Sequence, residues 1–263
     1  MNPDDLKNIA DMIPESTRKE LLDPTPHTIG EATGTILKYL SHSLDFMRRS
    51  NYISDHNMND FKSRVDEQIG MVSKKDLDTT QALLMIKAID DSKYQLNKDY
   101  MRNAFAKLIA HIADKSVNWD YSPVFSSLLA NMSVPEAELL IKLKSSPNMA
   151  ISICRVRKQL LTDSNNYQFL SEYAMIFPDG TIRFDDQTNL ALQLLSQSGL
   201  VEIKENFQLS ADWYQTHYKK FDNSSELSTF KINNPITSEW EYHVVRGDAE
   251  LTLVGKTFAN IIS

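Results

Sequence analysis

Residues 97–143 read NKDYMRNAFAKLIAHIADKSVNWDYSPVFSSLLANMSVPEAELLIKL and contain the start signals and apolar spacing of three helices. Asn97 is a suitable N-cap, because its side-chain oxygen can accept a hydrogen bond from the first turn. Apolar residues then recur about every four positions, which keeps them on one helix face. They include Tyr100, Met101, Ala104, Phe105, Leu108, Ile109 and Ile112. This pattern predicts a core-facing helix over residues 97–115.

Two further helices follow on short loops. Pro123 can occupy a first turn without loss, because the backbone N–H that proline lacks has no partner there. Ser133 and Glu136 have the S-x-x-E spacing of a capping box. We therefore predict helices over residues 123–131 and 134–144, packed with the first as antiparallel neighbours.

Four segments carry a resemblance to a known family. They are Arg102–Asp114 (RNAFAKLIAHIAD), Pro123–Leu140 (PVFSSLLANMSVPEAELL), Leu190–Ile203 with its LLSQSGLVEI ending, and Leu251–Phe258 (LTLVGKTF). In their order and spacing the chain resembles the abortive-infection alpha family, bacterial proteins associated with resistance to bacteriophage. The resemblance implies a role in phage defence. Members usually have histidine directly before the proline of the second helix, where this chain has Ser122, so no catalytic or metal-binding role of that histidine carries over.

Composition favours a cytoplasmic protein. The 263 residues include 28 basic and 35 acidic ones, a net charge of −7, which should repel nucleic acid and anionic membranes. The single cysteine, Cys154, permits no intrachain disulfide and is interpreted as a buried structural thiol. We expect no signal peptide and no membrane insertion, and the seven scattered glycines form no phosphate-binding loop.

The C-terminal part has a different pattern, with turn signals and short β-compatible runs after residue 147. We predict a helix over 187–198 closed by Gly199, and a last helix capped by Thr252. Strands are predicted at 181–184, 200–203, 228–232 and 239–245, the last turning at residues 246–248. Helix, strand, hairpin and helix in this order are typical of a winged-helix module.

The predicted fold class is therefore mainly α, an N-terminal helical bundle with a small C-terminal α+β winged-helix-like module. The predicted domains are a loosely attached segment at residues 1–27, a helical domain at 28–146 and the module at 147–263. Residues 187–263 carry six basic and nine acidic residues, a net charge of −3, and helix 187–198 has no basic residue. Since DNA readers neutralise phosphates with clustered Lys and Arg, nucleic acid is not an expected partner.

Candidate sites are few, and we predict no catalytic, cofactor-binding or metal-binding residues. His42 lies three residues before Asp45, and His111 three residues before Asp114, but neither pair has a further local partner. We interpret His111 as hydrogen-bonded to Asp114 at the edge of the apolar face, and His42 similarly. Basic residues Arg155, Arg157 and Lys158, and acidic residues Asp185 and Asp186, are interpreted as solvated.

The favoured function is that of a phage-defence interaction protein without a recognisable active site. It would act on a protein partner of unknown identity, and a homo-oligomer is possible. The alternative is a divergent hydrolase or nuclease-type effector enzyme whose site is assembled from residues distant in sequence. A winged-helix transcriptional regulator is the third hypothesis.

Overall fold

The computed structural model describes residues 54–207 and 211–263. The chain divides into two compact units, the first ending at Asn131 and the second running from Met132 to Ile261. The domains predicted from the sequence stay a prediction, and the first of them, residues 1–27, lies outside the described residues.

The described part of the first unit is helical. Its helices are α1 (Asp55–Met71), α2 (Ala82–Ser92), α3 (Asp99–Ala113) and α4 (Val124–Asn131). α3 packs against the other three, and its Phe105 and Leu108 side chains are fully buried. The helix predicted over 97–115 is thus confirmed, although its N-cap is Lys98; the Asn97 side chain instead accepts a hydrogen bond from Asn57 Nδ2 at 3.2 Å.

The second unit contains helices and strands. In chain order they are α5 (Val134–Ser145), β1 (Ala150–Leu160), β2 (Asp163–Ile176), β3 (Ile182–Arg183), α6 (Asp186–Gln197), β4 (Val201–Glu205), α7 (Asp212–Asp222), α8 (Ser225–Asn233), β5 (Trp240–Leu251) and α9 (Leu253–Ile262). The predicted capping box opens α5, where Ser133 N–H donates to Glu136 Oε2 at 2.8 Å. Thr252 caps α9 as predicted. α5 lies in the second unit and packs there against α6 and the sheet.

Within residues 54–207 and 211–263, the strands form one antiparallel sheet of five strands in the order β3-β2-β1-β5-β4. One face is covered by α7 and α8, where Cys154 and Val156 of β1 meet Tyr214, Tyr218 and Phe221 in a buried cluster. Cys154 is buried there as predicted. Helices α5 and α6 also pack against the sheet. The sheet therefore organises the core of the second unit.

This sheet shows that the predicted fold class was wrong, because the protein is mixed α+β rather than mainly α with a small winged-helix-like module. Residues 228–232, predicted as a strand, lie in α8, which begins where Ser224 Oγ accepts from Leu227 N–H at 3.1 Å. Residues 246–248, predicted as a turn, lie inside β5. The predicted hairpin does not form, because its first strand is helical in the described chain.

Among the described residues, no single helix is long and apolar enough to cross a membrane. Only α4 and α5 counted together, with a bend of 118° between them, have the length and apolar composition of a membrane-crossing segment.

Candidate functional site

An open cleft of about 780 Å³ lies in the second unit beside β2, and we call it the edge cleft. Phe169–Glu172 of β2 lines one side, residues of α8 line the other, and Ile182–Asp186 closes one end. β2 is 14 residues long, yet β3 pairs only with its Met175 and Ile176. Within the described chain, no strand pairs with this edge of β2 before Met175. The cleft therefore follows the free edge of the sheet.

A side chain from α6 marks where the free edge ends. Asn189 is only 4% exposed, its Oδ1 accepts from Tyr173 N–H at 2.8 Å, and its Nδ2 donates to Tyr173 C=O at 2.8 Å. A neighbouring strand would supply the same two bonds. Asn189 thus takes the place of a neighbouring strand at Tyr173. Farther along the same strand, residues 163–168 of β2 are exposed.

A β-bulge shapes the β2 wall of the cleft. Arg155 lies opposite Tyr173 in the register, but Arg157 lies opposite Phe169, so β2 has extra residues between them. The Arg155 guanidinium lies 3.9 Å from the centroid of the Phe169 ring, and its Nε donates to Ser171 C=O at 2.9 Å. Since bulges bend a strand and redirect its side chains, this one sets the shape of the wall.

The positive charge of Arg155 is already paired. Its Nη1 donates to Glu205 Oε1 at 3.0 Å, and the Tyr173 hydroxyl donates to the same oxygen at 2.6 Å. Burial, together with this hydrogen bond, raises the pKa of Tyr173 well above its usual range. Arg155 is therefore a structural part of the cleft wall rather than a free cation.

The rest of the lining is predominantly acidic. The charged residues around the cleft are Glu172, Arg183, Asp185, Asp186 and Glu226, in addition to Arg155. Since Glu205 offsets Arg155, four carboxylates face one further cation, and such an excess attracts positively charged groups. The sequence interpretation of Asp185 and Asp186 as merely solvated missed their position at this cleft. Asp185 is also the N-cap of α6.

The other described candidates from the sequence are not among the residues that line the edge cleft. His111 Nε2 is 2.7 Å from Asp120 Oδ1, so the predicted partner Asp114 was wrong; Asp114 instead accepts from Ser116. His42 and Asp45 lie outside the described residues. Within the part of the chain that the structure describes, no three His, Cys, Asp or Glu side chains lie close enough together to hold a metal ion.

The basic run of β1 does not act as one patch. Arg157 lies over the ring of Tyr167 at 4.3 Å from its centroid, whereas Lys158, the next residue, lies over Trp240 at 4.8 Å. Successive side chains of a strand point to opposite faces, which separates these two cations.

The first unit contains a lysine cluster that sequence reasoning missed. Lys87 Nζ donates to Ser126 Oγ and Ser127 Oγ, both at 2.8 Å, and to Asp91 Oδ2. These three acceptors use all three donors of the ammonium group. The cluster thus joins α2 to α4 and leaves no uncommitted amine.

A buried carboxylate lies elsewhere in the second unit. Asp248 of β5 is fully buried and lies between Ser152 of β1 and Lys204 of β4 in the sheet register. Among the described residues, neither carboxylate oxygen of Asp248 nor the Ser152 hydroxyl has a hydrogen-bond partner. Lys204 is engaged by Glu250 instead. Burial, and then the nearby charge of Glu250, raise the pKa of Asp248 to about 6.

Asp248→Asn is expected to stabilise the protein at pH 8 more than at pH 5. In the unfolded chain the carboxyl of Asp248 has a pKa of about 3.9, so the folded state binds this proton more tightly. The wild-type protein therefore loses stability as the pH rises through the folded pKa of about 6. The difference should be about 1–2 kcal/mol, because one pKa unit corresponds to about 1.4 kcal/mol and part of the ionisation cost is already present at pH 5. Urea denaturation at both pH values measures it. The control is Glu239→Gln at an exposed site; an Asp248→Asn effect equal at pH 5 and pH 8 would contradict the prediction.

The fold and the edge cleft define a mixed α+β protein with an open, acidic groove. A family model described as "Abortive infection alpha" matches residues 53–262. The chain therefore belongs to the abortive infection alpha family, which confirms the resemblance and associates the protein with abortive infection.

Other comparisons add little. No curated protein matches the chain. Among solved structures, an uncharacterized protein from the hydrocarbon-degrading marine bacterium Alcanivorax borkumensis SK2 is similar at 17% identity and a TM-score of 0.34. The similarity covers 52% of this chain and 91% of that one.

Proposed function

We propose that this protein is an interaction component of abortive infection that binds a protein partner in the edge cleft. The observation that carries the proposal is the free edge of β2, which faces an open cleft instead of another strand. Unpaired strand edges bind other chains readily, and proteins usually cover or blunt them. Here the free backbone edge is combined with a groove, an arrangement suited to a protein ligand.

The lining supports a protein ligand further. Phe184 and Phe230 lie 5.3 Å apart between ring centroids and provide a part-buried apolar wall. Glu226 and Asp186 provide an exposed polar rim. An apolar centre with a polar rim is the usual anatomy of a protein interface.

Filling the cleft tests the proposal. Thr229→Trp places a large ring in the cleft and is expected to abolish protection against phage, because the partner can no longer enter. Ile232→Trp is the matched control: it adds the same ring to α8 at a residue that is 78% exposed and does not line the cleft. Plating efficiency of phage, on cells carrying the gene with its neighbouring genes, is the measurement. Equal protection by both variants at normal abundance would refute the proposal.

A second set of variants tests the enzyme alternative. His42→Ala, His111→Ala and Asp114→Ala, each made singly, are expected to keep protection if the protein acts by interaction. His111 pairs with Asp120, and no third catalytic group of the described residues bonds to either side chain. Loss of protection in one variant with unchanged melting temperature would favour a hydrolase or nuclease and assign that residue to its site.

A further inference from the structure

We infer that the partner of the edge cleft binds as an extended segment with alternating apolar and basic residues, adding a strand to β2 on the line that β3 begins. The inference rests on the proposed function and specifies the chemistry of the partner. β3 pairs with β2 for only two residue pairs and then leaves the sheet at Phe184. The position that its continuation would occupy is the edge cleft, bounded by β2 and α8.

The backbone of β2 is available for such pairing. Residues 163–168 are exposed and Phe169 and Leu170 are half-buried, and among the described residues their outer edge has no neighbouring strand. Asn189 occupies the edge at Tyr173, and the carbonyls of Ser171 and Glu172 accept from Arg155 Nε and Ser171 Oγ, so the available part of the edge is residues 163–170. An added strand would lie about 4.8 Å from β2, and eight residues of it, at about 3.3 Å each, would cover residues 163–170. Main-chain hydrogen bonds would supply affinity, as in other cases of strand addition.

The two sides of the cleft determine the sequence of the segment. Side chains of a strand alternate between opposite faces. Those on one face would meet the apolar wall of Phe184 and Phe230, next to the buried cluster under α7 and α8. Those on the other would meet the exposed carboxylates of Glu172 and Asp186, whereas Glu226, one turn before Phe230 on α8, lies beside the apolar wall. Alternation of apolar residues with lysine or arginine satisfies both sides.

The test uses the full chain and a fluorescent peptide of alternating lysine and valine. We expect it to bind at least about tenfold more tightly than a peptide of alternating glutamate and valine. N-methylation of alternate residues of the peptide should abolish binding when it removes the N–H groups that pair with β2. Amide hydrogen exchange should slow at alternate residues within 163–170, since only strand addition protects backbone amides in that pattern.

Charge reversal supplies the matched variants. Glu226→Lys should weaken binding of the basic peptide by about threefold to tenfold, whereas Glu239→Lys, an exposed residue outside the cleft, should leave it unchanged. Failure of the basic peptide to bind, equal binding of the acidic peptide, or binding without protection of residues 163–170 would each overturn the inference. If Thr229→Trp still abolishes phage protection in that case, the proposed function stands and only the partner chemistry fails. If the peptide binds as expected and Thr229→Trp leaves protection intact, the proposed function fails instead.

Discussion

Replacing Phe105 by alanine is expected to lower the free energy of unfolding by about 3–5 kcal/mol. Phe105 lies in the middle of α3, and its side chain is 0% exposed. Because α3 packs against α1, α2 and α4, the ring contributes to the shared core of the first unit, and its removal leaves a cavity that rigid helices cannot fill. Urea denaturation followed by circular dichroism measures the loss.

An exposed aromatic residue of the same unit is the control. Tyr94 is 75% exposed, so Tyr94→Ala should stay within about 0.5 kcal/mol of the wild-type protein. If Phe105→Ala unfolds at the wild-type urea midpoint, α3 is not the core helix of this unit, and the reading of residues 97–115 fails with it.

The helices that could be predicted from the sequence are those whose start and spacing are local. Ser133 and Glu136 cap α5 through bonds that span three residues, and Thr252 Oγ1 accepts from Gly255 N–H in the same way. Such signals depend only on neighbouring residues, so they are visible in the sequence. The position of α5 in the second unit was not visible, because it depends on which distant surface its apolar face contacts.

The hairpin of β1 and β2 was missed because its composition is unusual for a sheet. Residues 163–168 read DSNNYQ, and Asp and Asn are depleted in strands. They are extended because β1 pairs with Asp163, Tyr167 and Gln168 at the two ends of this segment. Pairing with the neighbouring strand β1 thus overrides the local preference, and the other edge of β2 is left free along the cleft.

Gly247 illustrates a misleading local signal. Arg246-Gly247-Asp248 resembles a turn, but a Cβ at Gly247 would lie 2.2 Å from Lys204 O on the neighbouring strand. The glycine is therefore required by the close approach of β4, not by a turn. Contacts of this kind appear only when the strands are assembled.

The candidate site was the least predictable part. Asp185 and Asp186 stood out as a charged pair, but their role at the cleft depends on Phe230 and Glu226, about 40 residues later in the chain. Asn189 had no signal in the sequence, since a buried side-chain amide that substitutes for a strand is identified only by its two bonds to Tyr173.

Arg102 shows how an apparently exposed charge can be structural, and its replacement gives the second large effect. Arg102 is not one of the apolar residues that recur along α3, yet it is only 7% exposed. Its Nε donates to Asp60 on α1, its Nη1 to Leu96 C=O at 2.8 Å, and its Nη2 to Asp99 at 2.9 Å. Burial alone would raise the pKa of Asp60, but hydrogen bonds from Arg102 and Arg64 more than offset it and hold that pKa below its usual value.

Arg102→Met is expected to cost about 3 kcal/mol, the lower end for breaking a buried ion pair, because Asp60 keeps Arg64 as a partner. Methionine retains much of the buried volume, so the loss measures the ion pair and the unpaired Leu96 carbonyl rather than a cavity.

Arg64→Met is the matched control. Arg64 binds the same two carboxylates but is 27% exposed, and it should cost less than about 1 kcal/mol. In a double-mutant cycle with Asp60→Asn, the coupling to Arg102 should exceed the coupling to Arg64, because the less exposed pair is less screened by water. Equal coupling would show that the buried network does not hold α1 against α3.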